Sequence, residues 1–181
     1  MKETELEKLK YPIGKFVSPE KYSKDLVNDW ISILEHFPDR LESLVENLSD
    51  SQLDTRYRPD GWTIRQVIHH LADSHHHSYI RFKWALTEDK PVIKYYFEDL
   101  WAELPDGKTA PIELSLNHLK AVHAKLVYLL KIIDKSELQK SFIHPEHSEE
   151  VLLWKNIGIY AWHSNHHYAH IENLLNTKGW K

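Results

Sequence analysis

Four segments repeat apolar residues at intervals of three and four, and this pattern constrains the fold most. They span residues 22–48, 63–86, 112–133 and 152–176. Such spacing puts the apolar side chains on one face of an α-helix, and that face must pack against another element. We therefore predict an all-α fold, an up-down four-helix bundle, with residues 1–181 in one domain.

Local signals mark the ends of these helices. Thr63 with Gln66 forms a capping-box pattern at the start of the second helix. Pro38 is expected to kink or split the first helix. Residues 1–20 are predicted to be a non-helical N-terminal arm, and residues 87–111 a long polar and aromatic connection, a kind of loop that is often functional.

Composition excludes several classes of function. A formal charge of −4 argues against nucleic acid or an anionic membrane as the main partner. The chain has no cysteine, so a metal site must use nitrogen and oxygen ligands. The first residues are charged and lack the apolar stretch of a signal peptide, and no apolar run is long enough for a transmembrane helix. We expect a cytoplasmic protein.

Nine of the 14 histidines lie in two clusters, at residues 69–77 and 163–170. Neutral imidazole is a common protein ligand for zinc, nickel, copper and iron. Each cluster falls within a predicted helix. If the two helices pack together, they can close a metal site that neither forms alone.

A helical projection separates the histidines of the last helix. His163 and His167 fall within its inward stripe, one turn apart, which is an arrangement that can hold one ion. His166 points away from this stripe, and His170 lies at its edge. The alternative is that His163 and His167 are two hydrogen-bonded core histidines.

On the second helix, the projection leaves three candidates open. His75 lies nearest the main apolar stripe, whereas His70 and His77 lie on the side that carries Gln66 and Asp73. An inner helix of a bundle can bury a second face, so position alone does not select a ligand. Four other histidines are expected on solvated or ordinary helix surface: His69, His76, His118 and His123.

Motifs spread over nearly the whole chain are similar to those of a known family. They are YPIG at 11–14, YRPDGWTIRQVIHHLADSH at 57–75, WHS at 162–164 and HYAHI at 167–171. On these motifs the chain resembles the DinB superfamily, and within it the YfiT-like metal-dependent hydrolases, which are related to bacillithiol S-transferases.

The resemblance implies a four-helix bundle that holds one divalent metal with three histidines. One ligand comes from the second helix and two, four residues apart, come from the last. Carried over by motif, these ligands are His70, His163 and His167. The projection selects the same pair on the last helix, while His70 follows from the resemblance. Zn²⁺ is the first expected metal and Ni²⁺ the second.

Three imidazoles with an open fourth position are typical of a catalytic metal site. The sequence thus predicts a metal-dependent hydrolase of a small molecule, with metal-bound water as the nucleophile. One alternative is an S-transferase that uses a low-molecular-weight thiol such as bacillithiol or glutathione. Another is a non-enzymatic metal-binding stress protein. The residues hardly decide between the first two.

Three further residues are candidates for roles around the metal. Asp73, one turn after His70, is a candidate base, with an ordinary helix-surface residue as the alternative. Arg65 and Arg81 are candidates to pair with an anionic cosubstrate, or else they form surface salt bridges. The family also supports a homodimer, and the aromatic segment 95–101 is too apolar to be wholly exposed.

Overall fold

Four long helices form the body of the structure, a computed structural model that describes residues 3–146 and 148–180. Their apolar faces meet in two core clusters, so the predicted all-α four-helix bundle is confirmed. In chain order the elements are α1 (Glu3–Lys10), α2 (Lys24–Val45), α3 (Asp50–Leu53), α4 (Ile64–Thr87), α5 (Glu98–Ala102), α6 (Pro105–Thr109), α7 (Ile112–Ile132), β1 (Ser141–His144), β2 (Glu149–Leu152) and α8 (Leu153–Lys178).

The order of the long helices differs from the predicted up-down arrangement. α2 and α4 each pack against both α7 and α8, so α2 lies diagonally opposite α4, and α7 lies diagonally opposite α8. α4 runs parallel to α7, α2 runs antiparallel to α7, and α2 runs parallel to α8, which gives the order up, down, down, up. The contacts His69–Ser115 and Tyr79–Lys125 fix the direction of α4 relative to α7. The pairs Glu42–Lys120 and Glu35–Lys131 do so for α2 and α7. The contacts Trp30–Trp154 and Arg40–Asn165 do so for α2 and α8.

The long connection between α4 and α7 follows from this order. Because the two helices are parallel, residues 88–111 must return along the length of the bundle. The two short helices within this crossover, α5 and α6, pack against α4. α4 is therefore covered by α7, α8 and the crossover, and its buried residues extend around most of its circumference.

Two local predictions need correction. The arm at 1–20 was expected to be non-helical, but it contains α1, whose Glu, Leu and Lys residues are good helix formers. Pro38 was expected to kink or split the first helix, and it does not split it, because it lies inside α2, which is one continuous helix. The carbonyl that Pro38 leaves without a helical partner finds another donor, which belongs to the site described below.

The connection from α7 to α8 contains a short antiparallel hairpin. β1 pairs with β2 from Ser141 opposite Leu152 to His144 opposite Glu149. The crossover joins this hairpin through a backbone bond from the Ile93 amide to the Ile143 carbonyl at 3.1 Å. Within the described ranges, no helix combines the length and the apolar character that crossing a membrane requires.

Candidate metal centre

The start of α4 is fixed on two sides, and this sets the position of the histidines that follow. The predicted capping box is present: the Gln66 amide N–H bonds to Thr63 Oγ1 at 3.1 Å, and the Thr63 N–H bonds to Gln66 Oε1 at 3.0 Å. The Gln66 side chain also donates to the Ala102 carbonyl at 2.8 Å. The cap therefore ties the first turn of α4 to α5, one turn before His70.

The three histidines carried over from the family motif lie together where α4 packs against α8. His70 Nε2 is 3.2 Å from His163 Nε2, and one ring nitrogen from each of His70, His163 and His167 lies within 4.8 Å of the others. Two nitrogens that bind one tetrahedral zinc ion at about 2.0–2.1 Å are about 3.3 Å apart. The spacing therefore fits a single ion.

The same three imidazoles are held in the form that binds a metal. Burial lowers the pKa of His70 to about 3, and burial together with the neighbouring histidines lowers the pKa values of His163 and His167 well below the ordinary value. The neutral ring is the ligand form. No carboxylate belongs to this group, so its donor set is all nitrogen.

A chain of hydrogen bonds behind His163 decides which of its nitrogens faces the cavity. His163 Nδ1 lies 3.1 Å from His75 Nε2, His75 Nδ1 lies 2.8 Å from His123 Nε2, and His123 Nδ1 lies 2.6 Å from the Leu34 carbonyl. A carbonyl only accepts, so His123 Nδ1 donates to it. Each neutral ring carries one N–H, so His75 and His163 also donate from Nδ1. The lone pair of His163 is left on Nε2, toward His70.

Pro38 leaves the Leu34 carbonyl, which ends this chain, without a donor from its own helix. In a regular helix the Leu34 carbonyl accepts the N–H of residue 38, but proline has none. His123 donates to that carbonyl instead. The interrupted hydrogen bond of α2 is thus satisfied by the side chain that fixes the imidazoles behind His163.

A shorter chain of the same kind lies behind His167. His170 Nε2 lies 3.0 Å from the Lys10 carbonyl at the end of α1, and His170 Nδ1 lies 3.4 Å from His167 Nδ1. The carbonyl again fixes the donor, so His170 Nδ1 accepts from His167 Nδ1–H. The lone pair of His167 is then on Nε2. The N-terminal arm thereby takes part in orienting the His167 ring.

His166 does not behave as the projection predicted. It was expected to point away from the inward stripe, but it is 7% exposed, because Trp162 and Tyr11 pack on its ring at 4.5 and 5.8 Å between centroids. His166, His167 and His170 form a second group with the spacing of a metal site. This group shares His167 with the first, and His170 Nε2 is already bonded to Lys10.

A cavity of about 670 Å³ opens in front of the three histidines. Its wall combines aromatic rings with charged side chains of both signs, which suits a small polar organic molecule. Besides the histidines, it is lined by Lys10, Tyr11, Tyr57, Arg58, Asp60, Gly61, Trp62, Ser74, Arg81, Tyr95, Tyr96, Glu98, Asp99, Glu146, Tyr160 and Trp162.

The other sequence candidates fall in different places. Asp73 is half-buried on the flank of α4, where burial and then the charge of Asp106 raise its pKa to about 6. It is not among the described residues that line the cavity. Arg65 bonds to Asp50 and Asp54, each at 2.7 Å, and so forms a structural clamp. Arg81 does line the cavity.

Two histidines that were expected on the helix surface are buried. His69 is 6% exposed and bonds to Ser115 Oγ at 2.7 Å, because the crossover and α7 cover that side of α4. His123 is 1% exposed, because α2 packs over it. His76 and His118 are exposed as predicted, and His76 Nδ1 lies 2.9 Å from His118 Nε2.

Comparison with known proteins identifies relatives over nearly the whole chain. The model of the DinB superfamily matches residues 33–171. A protein of Bacillus subtilis named "Putative metal-dependent hydrolase YfiT" is 47% identical over 172 residues, which cover 95% of this chain and 97% of that protein. A protein of Oceanobacillus iheyensis with the same description is 48% identical, covering 94% of this chain and 98% of the relative.

A solved structure also matches. It is that of YfiT from Bacillus subtilis, described as "a probable metal-dependent hydrolase with an unusual four-helix bundle topology". The TM-score is 0.94 at 46% identity, over 96% of this chain and 99% of the solved one. The up, down, down, up order found here agrees with a bundle of unusual topology.

Proposed function

Because this chain belongs to the DinB superfamily, we propose that it is a metal-dependent hydrolase of small molecules. In this proposal one divalent ion is held by Nε2 of His70, His163 and His167. The observation that carries it is the convergence of these neutral imidazoles on one cavity wall. Zinc is the first expected ion and nickel the second, since an all-nitrogen set suits both.

The chain contributes more than three ligands to this function. When bound, a divalent ion at such a site lowers the pKa of a water ligand to about 7 and so supplies a hydroxide nucleophile. His75 and His170 keep the Nδ1 protons of His163 and His167, so that Nε2 of each ligand stays available.

Asp73 stays a prediction as the general base. Its pKa of about 6 suits proton transfer near neutral pH. Its position beside Asp106, outside the cavity lining, favours the alternative of an ordinary helix residue. An Asp73→Asn variant that keeps full activity would remove it from the mechanism.

One observation favours the second candidate, a low-molecular-weight thiol S-transferase. Lys10, Arg58 and Arg81 bring three cationic side chains to the cavity, and bacillithiol and glutathione are anionic. The third candidate, a metal-binding stress protein without activity, requires only the histidines. A homodimer is also proposed, supported by the exposed Phe97, Leu100 and Trp101 of the crossover.

Metal analysis with two substrate panels tests these functions. The full chain is loaded with one equivalent of Zn²⁺ or Ni²⁺ and assayed on esters and amides without thiol, and on chlorobimane with glutathione or bacillithiol. We expect hydrolysis that stops on chelation, returns with the metal and is lost in His70→Ala but not in His118→Ala. Turnover only with thiol supports the transferase, and metal binding without turnover supports the stress protein. Activity that survives both chelation and His70→Ala rejects metal-centred catalysis.

A further inference from the structure

Arg81 is a buried cation on the wall of the same cavity. Its side chain is 9% exposed, and Nη1 donates to the Tyr160 hydroxyl at 3.4 Å. Nε is buried and has no hydrogen-bond partner in the part of the chain that the structure describes. The ring of Phe142 lies 5.9 Å from the guanidinium carbon. The described contacts of this positive charge are thus a neutral hydroxyl and an aromatic ring.

No described carboxylate forms an ion pair with Arg81. Asp60, Glu98, Asp99 and Glu146 line the cavity as well, but none of the ion pairs among residues 3–146 and 148–180 includes Arg81. A buried charge without a partner is strongly unfavourable, and such a group in a native structure needs an explanation. An anionic ligand supplies one.

Arg81 shares a helix face with the metal ligand of α4. His70 and Arg81 are eleven residues apart, about three helical turns, and Ser74 lies between them on the same cavity wall. On α8, Tyr160 precedes His163 by about 4.5 Å of helix. The guanidinium beside Tyr160 therefore lies within the length of a small molecule from the three histidines.

Arg58, the other arginine that lines the cavity, is neither fully buried nor without hydrogen-bond partners. Arg58 donates to the Tyr57 hydroxyl at 3.2 Å and to the Pro59 carbonyl at 3.0 Å, and it is only partly buried. Two of its donors, Nε and Nη1, are thus engaged, and the side chain is partly open to solvent. Arg58 is therefore a matched control, because it carries the same charge at another place in the same cavity.

We propose that Arg81 and Tyr160 form an anion subsite that receives a carboxylate of the substrate. The planar guanidinium matches a carboxylate, and a cavity that holds four acidic and three basic side chains suits a monoanion better than a phosphate dianion. The substrate class is then a small organic carboxylate whose reacting bond lies a few bonds from the carboxylate. The place of that bond rests on the proposed function, whereas the anion subsite requires only the residues of this chain.

Binding of two probes of the same shape tests the subsite. Binding of 4-fluorophenylacetate and of its neutral amide to the full-length protein is followed by ¹⁹F NMR, with zinc and after chelation. The chelated sample separates Arg81 from direct binding to a metal. We expect the wild type to prefer the acid by about tenfold in both states, as expected for a charge-assisted bond. Arg81→Gln should lose this preference, and Arg58→Gln should keep it.

A second measurement does not depend on the stability of Arg81→Gln. The Nε–H signal of Arg81, assigned by its absence from Arg81→Lys, should shift when the acid is added to the wild type and stay fixed with the amide. The subsite is refuted if that signal does not move, if the preference disappears on chelation, or if it persists in a folded Arg81→Gln. A wild type that binds no zinc but keeps the preference refutes the proposed metal function alone.

Discussion

Two buried arginines of α4 differ in how many of their N–H groups have hydrogen-bond partners. In the first turn, Arg65 bonds to Asp50, Asp54 and the Ala110 carbonyl at 2.7, 2.7 and 3.2 Å. Further along the helix, Arg81 has one long bond to Tyr160 and a buried Nε without a described partner. Burying polar groups is costly unless they are satisfied. The chain itself supplies hydrogen-bond partners for Arg65, whereas Arg81 is free to bind the anion proposed above.

The adjacent residues His69 and His70 show the same division within one turn. His69 bonds through Nδ1 to Ser115 Oγ at 2.7 Å and through Nε2 to the Ala110 carbonyl at 3.2 Å. His70 instead turns Nε2 toward His163 at the cavity. His69 therefore stabilises the contact with α7 and the crossover, whereas His70 faces the cavity, where we propose that it binds a metal. The histidines at and behind the cavity wall that are called the histidine face below are His70, His75, His123, His163, His166, His167 and His170. We expect changes in the clamp around Arg65 to lower the stability of the fold, and changes on the histidine face to lower metal binding.

The largest expected effect is acid unfolding of the metal-free protein, because the histidine face buries neutral imidazoles. Burial holds the pKa of His70 at about 3 and the pKa values of His123, His166 and His170 at about 4. In the unfolded chain these pKa values are about 6.5. Between these limits the unfolded state binds more protons, so stability falls as pH falls, by about 1.4 kcal/mol per pH unit for each histidine.

Circular dichroism against pH measures this loss. We expect the metal-free protein to unfold between about pH 6.5 and 4, and zinc to move the midpoint to lower pH because it binds only the folded site. The thermal midpoint of the metal-free protein should already fall between pH 7 and pH 5. A midpoint that is constant down to pH 4.5 would mean that these histidines are not buried as the structure describes.

Removal of a proposed metal ligand should have the next largest effect, and it should leave the clamp around Arg65 intact. His163→Ala deletes a nitrogen of the three-histidine group, so stoichiometric zinc binding in equilibrium dialysis should be lost. The apolar stripes remain, and the thermal midpoint of the metal-free protein should change little. His166→Ala is the matched control on the same helix and should keep zinc binding within a few-fold. Loss of zinc binding in His166→Ala together with its retention in His163→Ala would instead favour the second group, His166, His167 and His170.

Much of the histidine face on α8 was predictable from sequence. Helical periodicity and the family motif both select His163 and His167, since the inward stripe of α8 meets the other helices along one side. His70 was not predictable from periodicity. α4 is covered by α7, α8 and the crossover, so a projection with one apolar stripe does not identify the cavity side. Only the family motif selected it.

His123 was missed although the sequence carried a signal for it. It lies four residues after Leu119 and three before Leu126, which places it on the apolar stripe of α7. The order of the helices had a signal too, since a connection of 24 residues between α4 and α7 is long enough to return along a parallel neighbour. The burial of His166 had no such signal, because it depends on where the N-terminal arm packs.

Arg65→Gln tests the role of the clamp around Arg65 in stabilising the fold. The variant loses the bonds to Asp50 and Asp54, both of which remain exposed to solvent, so the expected cost is about 2 kcal/mol in the free energy of unfolding. Urea titration of the metal-free protein measures it. Zinc affinity should stay within twofold, because the clamp does not line the cavity. A large loss of zinc affinity at unchanged stability would reverse the roles given to the two regions.

His75→Phe tests the hydrogen bonds behind the ligands. Phenylalanine keeps an aromatic ring beside Phe37 and Tyr160 but accepts no bond from His163 Nδ1–H. We expect zinc affinity to fall about tenfold, as for other residues that orient a metal-bound histidine. Competition with a chelator measures this, and ¹⁵N NMR of the metal-free protein should show that His163 no longer carries its proton only on Nδ1. His76→Phe, at the exposed next position, should change neither reading.

The smallest effect is expected at Pro38, which lies farthest along the chain of bonds behind His163. Pro38→Ala restores an N–H that competes with His123 for the Leu34 carbonyl, while the helix itself should become more stable. Because a carbonyl oxygen can accept two hydrogen bonds, the bond from His123 to the Leu34 carbonyl should become weaker but should not be lost. Zinc affinity should therefore fall only about two- to threefold, less than in His75→Phe. The His123 Nδ1–H signal should shift as its bond lengthens. If that signal stays fixed while affinity falls, the proline acts by another route than the Leu34 carbonyl.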